Sequence, residues 1–223
     1  MRIGLFASVA LGGVLLTGGT ALADDVNSGI EVGLRTGYAI PFGNSVGAAG
    51  GATAPNLSDT ISGDIPIWID AGYRFASPNL FVGAYFQYGI GFNGSQLTQG
   101  AGCQCSTNVV MYGLQAHYHF LPDQTIDPWV GYGIGMESAN ESGPSGTGGS
   151  LSGWDYGILQ VGADYRGLMS NLSVGPMVMF GFGQYNNVSQ SGGGQSQSVS
   201  IPQQAMHEWL TLGIRGAYDI KIF

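Results

Sequence analysis

Apolar and polar positions alternate with period two in eight stretches of this chain, at 30–40, 64–75, 80–90, 110–120, 129–137, 159–166, 172–183 and 210–222. Period two is the signature of a β-strand, whose successive side chains point to opposite faces. In the first stretch Ile30, Val32, Leu34, Thr36, Tyr38 and Ile40 share one face, against Glu31, Gly33, Arg35, Gly37 and Ala39. The last sets Leu210, Leu212, Ile214, Tyr218, Ile220 and Ile222 against Thr211, Gly213, Arg215, Ala217, Asp219 and Lys221. The sixth is the least regular, and its start near Trp154 is blurred. The pattern predicts eight strands.

The arginines decide which face points where. Arg35, Arg74, Arg166 and Arg215 all fall on the Gly-rich polar face of their strands, opposite Ile, Val, Leu, Tyr and Phe. A soluble barrel such as a lipocalin would turn the apolar face inward and leave a face rich in glycine and poor in charge to meet water. The reverse arrangement, lipid outside and polar groups inside, is that of a transmembrane β-barrel. Charged residues make up 9% of the sequence and glycine supplies 40 positions, against a charged fraction of about 25% in soluble domains.

Link lengths add an independent argument. Short links at 76–79, 121–127 and 167–171 alternate strictly with long ones at 42–63, 93–108, 138–153 and 184–206, which are rich in Gly, Ser, Asn and Gln. In a meander this puts every long loop on one rim and both termini on the other. Outer-membrane barrels have short periplasmic turns and long extracellular loops. At the short-turn rim Tyr73, Phe75, Tyr118, Phe120, Tyr165 and Tyr218 face outward, as an aromatic girdle at headgroup depth would.

The N-terminus fits export. Arg2 supplies a positive n-region, Ile3 to Leu16 an apolar h-region and Ala21-Leu22-Ala23 a small-residue cleavage motif. The expected domains are a cleaved signal peptide over 1–23 and one barrel over 24–223. No cysteine follows the cleavage site, so lipoprotein processing is not expected, and no later segment has the roughly 18 apolar residues of a spanning helix. Removing Arg2 from the six basic residues leaves five against fourteen acidic ones. Nucleic acid, which needs a basic patch, is therefore not an expected partner.

In these features the chain resembles the small outer-membrane β-barrels of Gram-negative bacteria, the OmpA-like and OmpX-like eight-stranded, porin-like kind. The resemblance covers the whole mature chain and rests on pattern, with no catalytic motif. It implies an all-β, eight-stranded antiparallel up-and-down barrel in the cell outer membrane. The implied partners are outer-membrane lipid, lipopolysaccharide and the barrel insertion machinery, with a monomer expected. One departure is that the family ends in a phenylalanine in phase with outward residues, whereas Phe223 is out of phase with Tyr218, Ile220 and Ile222.

An eight-stranded barrel is just wide enough for its inward side chains to fill it. Here they include a charge network of Glu31, Arg35, Asp64, Asp70, Arg74, Asp164, Arg166, Arg215 and Asp219, joined by Glu137 and Lys221. Buried charges should pair, because an unpaired one is costly, and closure brings Glu31 and Arg35 near Arg215 and Asp219. This predicts a polar plug, with a narrow pore for small solutes or ions as the alternative. His117 and His119 face inward two residues apart. A metal pair needs a third ligand that the spacing does not supply, so hydrogen-bonded lumen histidines are expected. No metal or cofactor is expected.

Cys103 and Cys105 share the second long loop, where an oxidising compartment favours a disulfide, though one intervening residue makes the bridge tight. Enzymatic barrels carry a nucleophile and base, or a carboxylate–histidine site, near a rim. His207 with Glu208 is the one candidate, but adjacent strand residues face opposite ways. No enzyme is expected. The expected role is structural or surface-interacting, through four mobile loops: envelope integrity, adhesion or contact with an external ligand.

Overall fold

The computed structural model describes residues 28–221, apart from 49, 51–52, 99–104, 145–146, 170 and 193–194. The expected signal peptide over 1–23, Cys103 and Phe223 therefore lie outside the described residues. Nine strands and two one-turn helices follow in the order β1 (Gly29–Gly43), α1 (Leu57–Thr60), β2 (Ile61–Phe75), β3 (Leu80–Asn93), α2 (Ser95–Thr98), β4 (Ser106–His119), β5 (Ile126–Ser142), β6 (Gly148–Met169), β7 (Leu172–Gly192), β8 (Gln195–Ser200) and β9 (Met206–Lys221).

Eight of these strands form the wall. Each pairs antiparallel with its neighbour from β1 to β7, β7 continues to β9, and β9 returns to β1 from Gly29↔Lys221 to Gly43↔His207. The barrel is closed, so the wall has no free edge. Closure pairs strand with strand all round the wall, the condition for strands to cross a bilayer. Strand β8 is the exception, pairing with β7 alone above the wall.

The alternation fixes the two faces. Leu34, Ile69, Phe86, Leu114, Ile134, Leu159 and Ile214 point outward and are about half exposed. Glu31, Arg35, Arg74, Phe81, His117, Trp129 and Arg215 point inward and are buried. The six girdle aromatics lie outward at the short-turn rim, where Tyr73 meets Phe75 edge-on at 4.8 Å and Tyr118 meets Phe120 at 5.2 Å. A second outward set, with Tyr38, Tyr88, Phe92, Tyr112, Tyr132 and Trp154, lies toward the long-loop rim.

Two glycines make room for the inward groups. An added Cβ at Gly33 would lie 2.5 Å from the Asp70 carboxylate, and one at Gly162 would lie 2.5 Å from the Trp129 ring. The blurred start of the sixth strand has a physical cause. A bulge between Asp155 and Gly157 leaves both Tyr156 and Gly157 on the outer face, Gly157 beneath the Phe182 and Tyr132 rings, so inward positions change from Gly153 and Asp155 to Ile158 and Gln160.

The long links are shorter than expected. The stretch 138–153 is mostly sheet, since β5 runs to Ser142 and β6 starts at Gly148, and 184–206 contains the rest of β7 and all of β8. Their Ser, Gly and Asn residues pair through backbone, as in Ser150↔Ser189. The 42–63 link carries α1, whose Leu57 is buried with Ile61 and Val109 at the barrel mouth.

Candidate functional site

Among the described residues the lumen holds most of the charged side chains, arranged in three levels. At the short-turn end, Arg74 donates to Glu31 at 2.9 Å and to Asp127 at 3.3 Å. Asp127 Oδ2 also meets His119 Nδ1 at 2.8 Å and Arg166 at 3.0 Å, while Oδ1 accepts the Leu121 backbone N–H at 3.1 Å. Arg215 bridges Glu31 and Asp164, the latter at 2.5 Å, and lies 5.3 Å from the centre of the Trp129 ring. Trp129 and Ser173 complete the donors to Asp164, and Asp219 faces Arg166 at 3.8 Å. Arginine suits these positions because its planar fork serves two carboxylates at once.

The middle level centres on Arg35. Its Nε donates to Asp70 at 2.9 Å, one Nη reaches Gln160 at 2.6 Å, and the other lies 3.3 Å from His117 Nε2. Gln160 in turn meets His117 at 3.1 Å and donates to Gln115 at 3.3 Å. These bonds span the lumen, since β1 is separated from β4 and from β6 by two strands on either side.

The upper level differs. Glu137 accepts from Tyr185, from Trp209 Nε1 at 3.0 Å, and from His207 Nε2 at 3.1 Å, and the Tyr185 and His207 rings stack at 4.0 Å. Asp155 and Asp64 are buried on the same side of the lumen's length, yet Asp64 has no hydrogen-bond donor to either oxygen. Among the described residues no Arg or Lys pairs with Asp64, Glu137 or Asp155. The expectation that all inward charges close into pairs is corrected here: all four lumen arginines lie in the lower two levels.

His117 and His119 are held by separate partners, Gln160 and Arg35 for one and Asp127 for the other. His207 joins Glu137 across the lumen, while Glu208 lies on the opposite face of β9, so those two neighbours form no common site. Of the loop cysteines, Cys105 borders the mouth and Cys103 is outside the described residues. The side chain of Lys221 is likewise not described. Asp127 and Asp155 were missed. Asp127 is in phase with Trp129, two residues on, but Pro128 and the adjoining turn disguise the strand's start. Asp155 sits beside the bulge that breaks the alternation.

Two spaces bear on the lumen. A void of about 20 Å³ lies between Trp68, Met111, Asp155 and Trp209. A cavity of about 410 Å³ opens at the long-loop mouth, lined by Leu57, Ile61, Ala139, Leu151 and Val188 with a rim of Ser, Asn and Gln.

No protein-family model matches this chain, and no curated protein does. Solved structures do. The outer membrane protein AlkL, determined in lipid bilayers, is 19% identical with a TM-score of 0.55, covering 94% of this chain and 99% of that one. Neisserial surface protein A is 12% identical with a TM-score of 0.52, over 87% of this chain and 100% of that one. The outer membrane protein OprG from Pseudomonas aeruginosa is 13% identical with a TM-score of 0.51, over 87% and 98%.

The fold is that of the small outer-membrane β-barrels. Identities this low speak for architecture alone. An outer-membrane barrel places its short turns in the periplasm, an arrangement in which the lower lumen level would face the periplasm and the mouth cavity would face outward.

Proposed function

We propose that this chain is an electrically silent outer-membrane barrel, with a structural or surface-interacting role exercised from its extracellular rim. The observation that carries the reading is the set of side-chain bonds reaching across the lumen. Arg74 on β2 meets Asp127 on β5, Arg35 on β1 meets Gln160 on β6, and Glu137 on β5 meets His207 on β9. A conducting path would have to break bonds at all three levels, where a lost partner leaves a buried charge. A void beneath the mouth, about 20 Å³ beside Trp68 and Trp209, is the size of a single water.

The wall then serves as a rigid mount set in outer-membrane lipid and lipopolysaccharide, delivered by the barrel insertion machinery and acting as a monomer. Its extracellular strands extend beyond the belt, and the mouth cavity of about 410 Å³ is within the range of small-molecule pockets. Contact with an external ligand would occur there.

The test is single-channel recording of the folded protein in planar bilayers. The expected result is a silent bilayer containing protein that still shows the heat-dependent gel mobility of a folded barrel. Sustained, uniform openings would overturn the plug and favour the narrow pore.

A further inference from the structure

We propose that Glu137, Asp155 and His207 form a binding site for a divalent transition-metal ion of the zinc class in the upper lumen. One donor atom from each residue lies within 4.8 Å of the others, and all three side chains are buried. They come from three strands, β5, β6 and β9, and converge from different sides of the lumen.

Charge balance makes the cluster unusual. Five carboxylates of the lower levels face four arginines. The upper level holds Asp64, Glu137 and Asp155 with His207 as the sole titratable cation among the described residues. Asp64 and Asp155 both lie within electrostatic reach of Glu137. Burying like charges together is costly unless a cation or a proton is held with them.

The unpartnered atoms point to a ligand independently of the charge count. Asp155 is 2% exposed, and its Oδ2 has no hydrogen-bond donor. His207 is 1% exposed; its Nε2 faces Glu137 and its Nδ1 has no partner. Buried polar atoms are normally satisfied, and a carboxylate oxygen and an imidazole nitrogen are both ligands for such an ion.

The donor set selects the metal class. One nitrogen and two carboxylate oxygens suit zinc, which binds three protein ligands and leaves a fourth position for water. Calcium takes six to eight oxygens and fits poorly. Tetrahedral bonds of about 2.0–2.2 Å put donors roughly 3.3–3.6 Å apart, so no donor pair has to close by more than about 1.5 Å from the 4.8 Å limit. Asp155, whose Oδ2 no donor restrains, is free to move that far.

The mouth cavity comes within one inward residue of the site, because Ala139, the next inward residue beyond Glu137 on β5, lines it. Below, the void of about 20 Å³ beside Asp155 has room for a metal-bound water. A bound ion would tie three strands together where no arginine does.

The test uses the full folded barrel in detergent, stripped with a chelator and titrated with zinc chloride. Stoichiometry is read by calorimetry and elemental analysis, and stability by the temperature at which the folded gel form is lost. The expected result is one zinc per chain and a raised transition temperature. Asp155→Asn and His207→Gln should each weaken binding by no less than the about 10–100-fold typical of lesser, outer-shell changes. Glu208→Gln, on the outer face beside His207, should bind as wild type does.

Asp155→Asn removes one of two facing carboxylates, so it should fold at least as well as wild type without metal, and it decides the matter if His207→Gln does not fold. Folded wild type that binds no zinc would overturn the proposal in favour of a shared proton. Unchanged binding in Asp155→Asn would overturn it in favour of an adventitious surface site.

Discussion

Replacing Arg35 by Met should destabilise the barrel by about 3–5 kcal/mol, the cost of breaking a buried ion pair from one side. Asp70 has no donor other than Arg35: Nε meets its Oδ2 at 2.9 Å, and its Oδ1 has none. The substitution therefore strands a bare carboxylate at a position 1% exposed. Gln160 and His117 also lose a partner but keep each other at 3.1 Å, so they add little. Converting Asp70 to Asn in the same chain removes the stranded charge and leaves an unsatisfied amide worth about 1–3 kcal/mol. The double variant Arg35→Met/Asp70→Asn should thus recover roughly 2 kcal/mol over the single one. Urea unfolding from lipid vesicles, followed by tryptophan fluorescence and gel mobility, reads this directly. With a denaturant slope of about 2 kcal/mol per molar, the double variant should unfold about 1 M higher in urea than Arg35→Met. If it unfolds at the same or lower urea, Asp70 is not stranded by the loss of Arg35 and the account of the middle level fails.

The outer wall offers a contrast. Leu114, 63% exposed between Tyr112 and Tyr118, should tolerate Arg at a cost of about 2–4 kcal/mol near the middle of the belt, and Tyr118→Arg at the rim should cost about 0–1 kcal/mol; equal costs in vesicle unfolding would mean the belt is not in lipid. At Gly162 the Trp129 ring occupies the space a side chain would need, so Gly162→Val should cost about 1–3 kcal/mol through overpacking. The accompanying displacement of Trp129 should show as a shifted emission maximum, and an unaltered spectrum with full stability would contradict the close approach.

Much of the fold is legible because, away from bulges, the face of a strand residue follows from period two alone. Glu31 and Arg35 are inward simply because Ile30 and Leu34 are outward. The partners of those charges are a different matter, since they depend on height in the lumen. By register Arg35 stands beside Arg215 and Trp68, yet it bonds Asp70 two residues along β2 and Gln160 across the barrel. Strand stagger and side-chain length set that choice, and neither is visible in a one-dimensional pattern. Asp155 escaped for another reason, since one extra residue at Gly157 shifts the phase. The extensions of β5–β8 at the long-loop end were hidden by composition. Ser, Gly and Gln lack the apolar face that marks a strand, but backbone pairing to a neighbour needs no side chain.

The bond between Glu31 and Arg215 joins residues 184 positions apart and crosses the seam where β1 meets β9. During folding, β1 to β7 can pair successively with near neighbours, but the seam is a long-range contact that must meet its loop-closure cost before any return. Until β9 arrives, β1 and β7 each present an unpaired edge, which a bilayer does not tolerate, and Glu31 and Asp164 share no cation. Docking β9 removes both edges and delivers Arg215 to both carboxylates in the same movement. A partly assembled sheet gains neither benefit, so zipping the seam and neutralising the lumen are one cooperative event. The strand that closes the ring, β9, is the one that commits the chain to its final state.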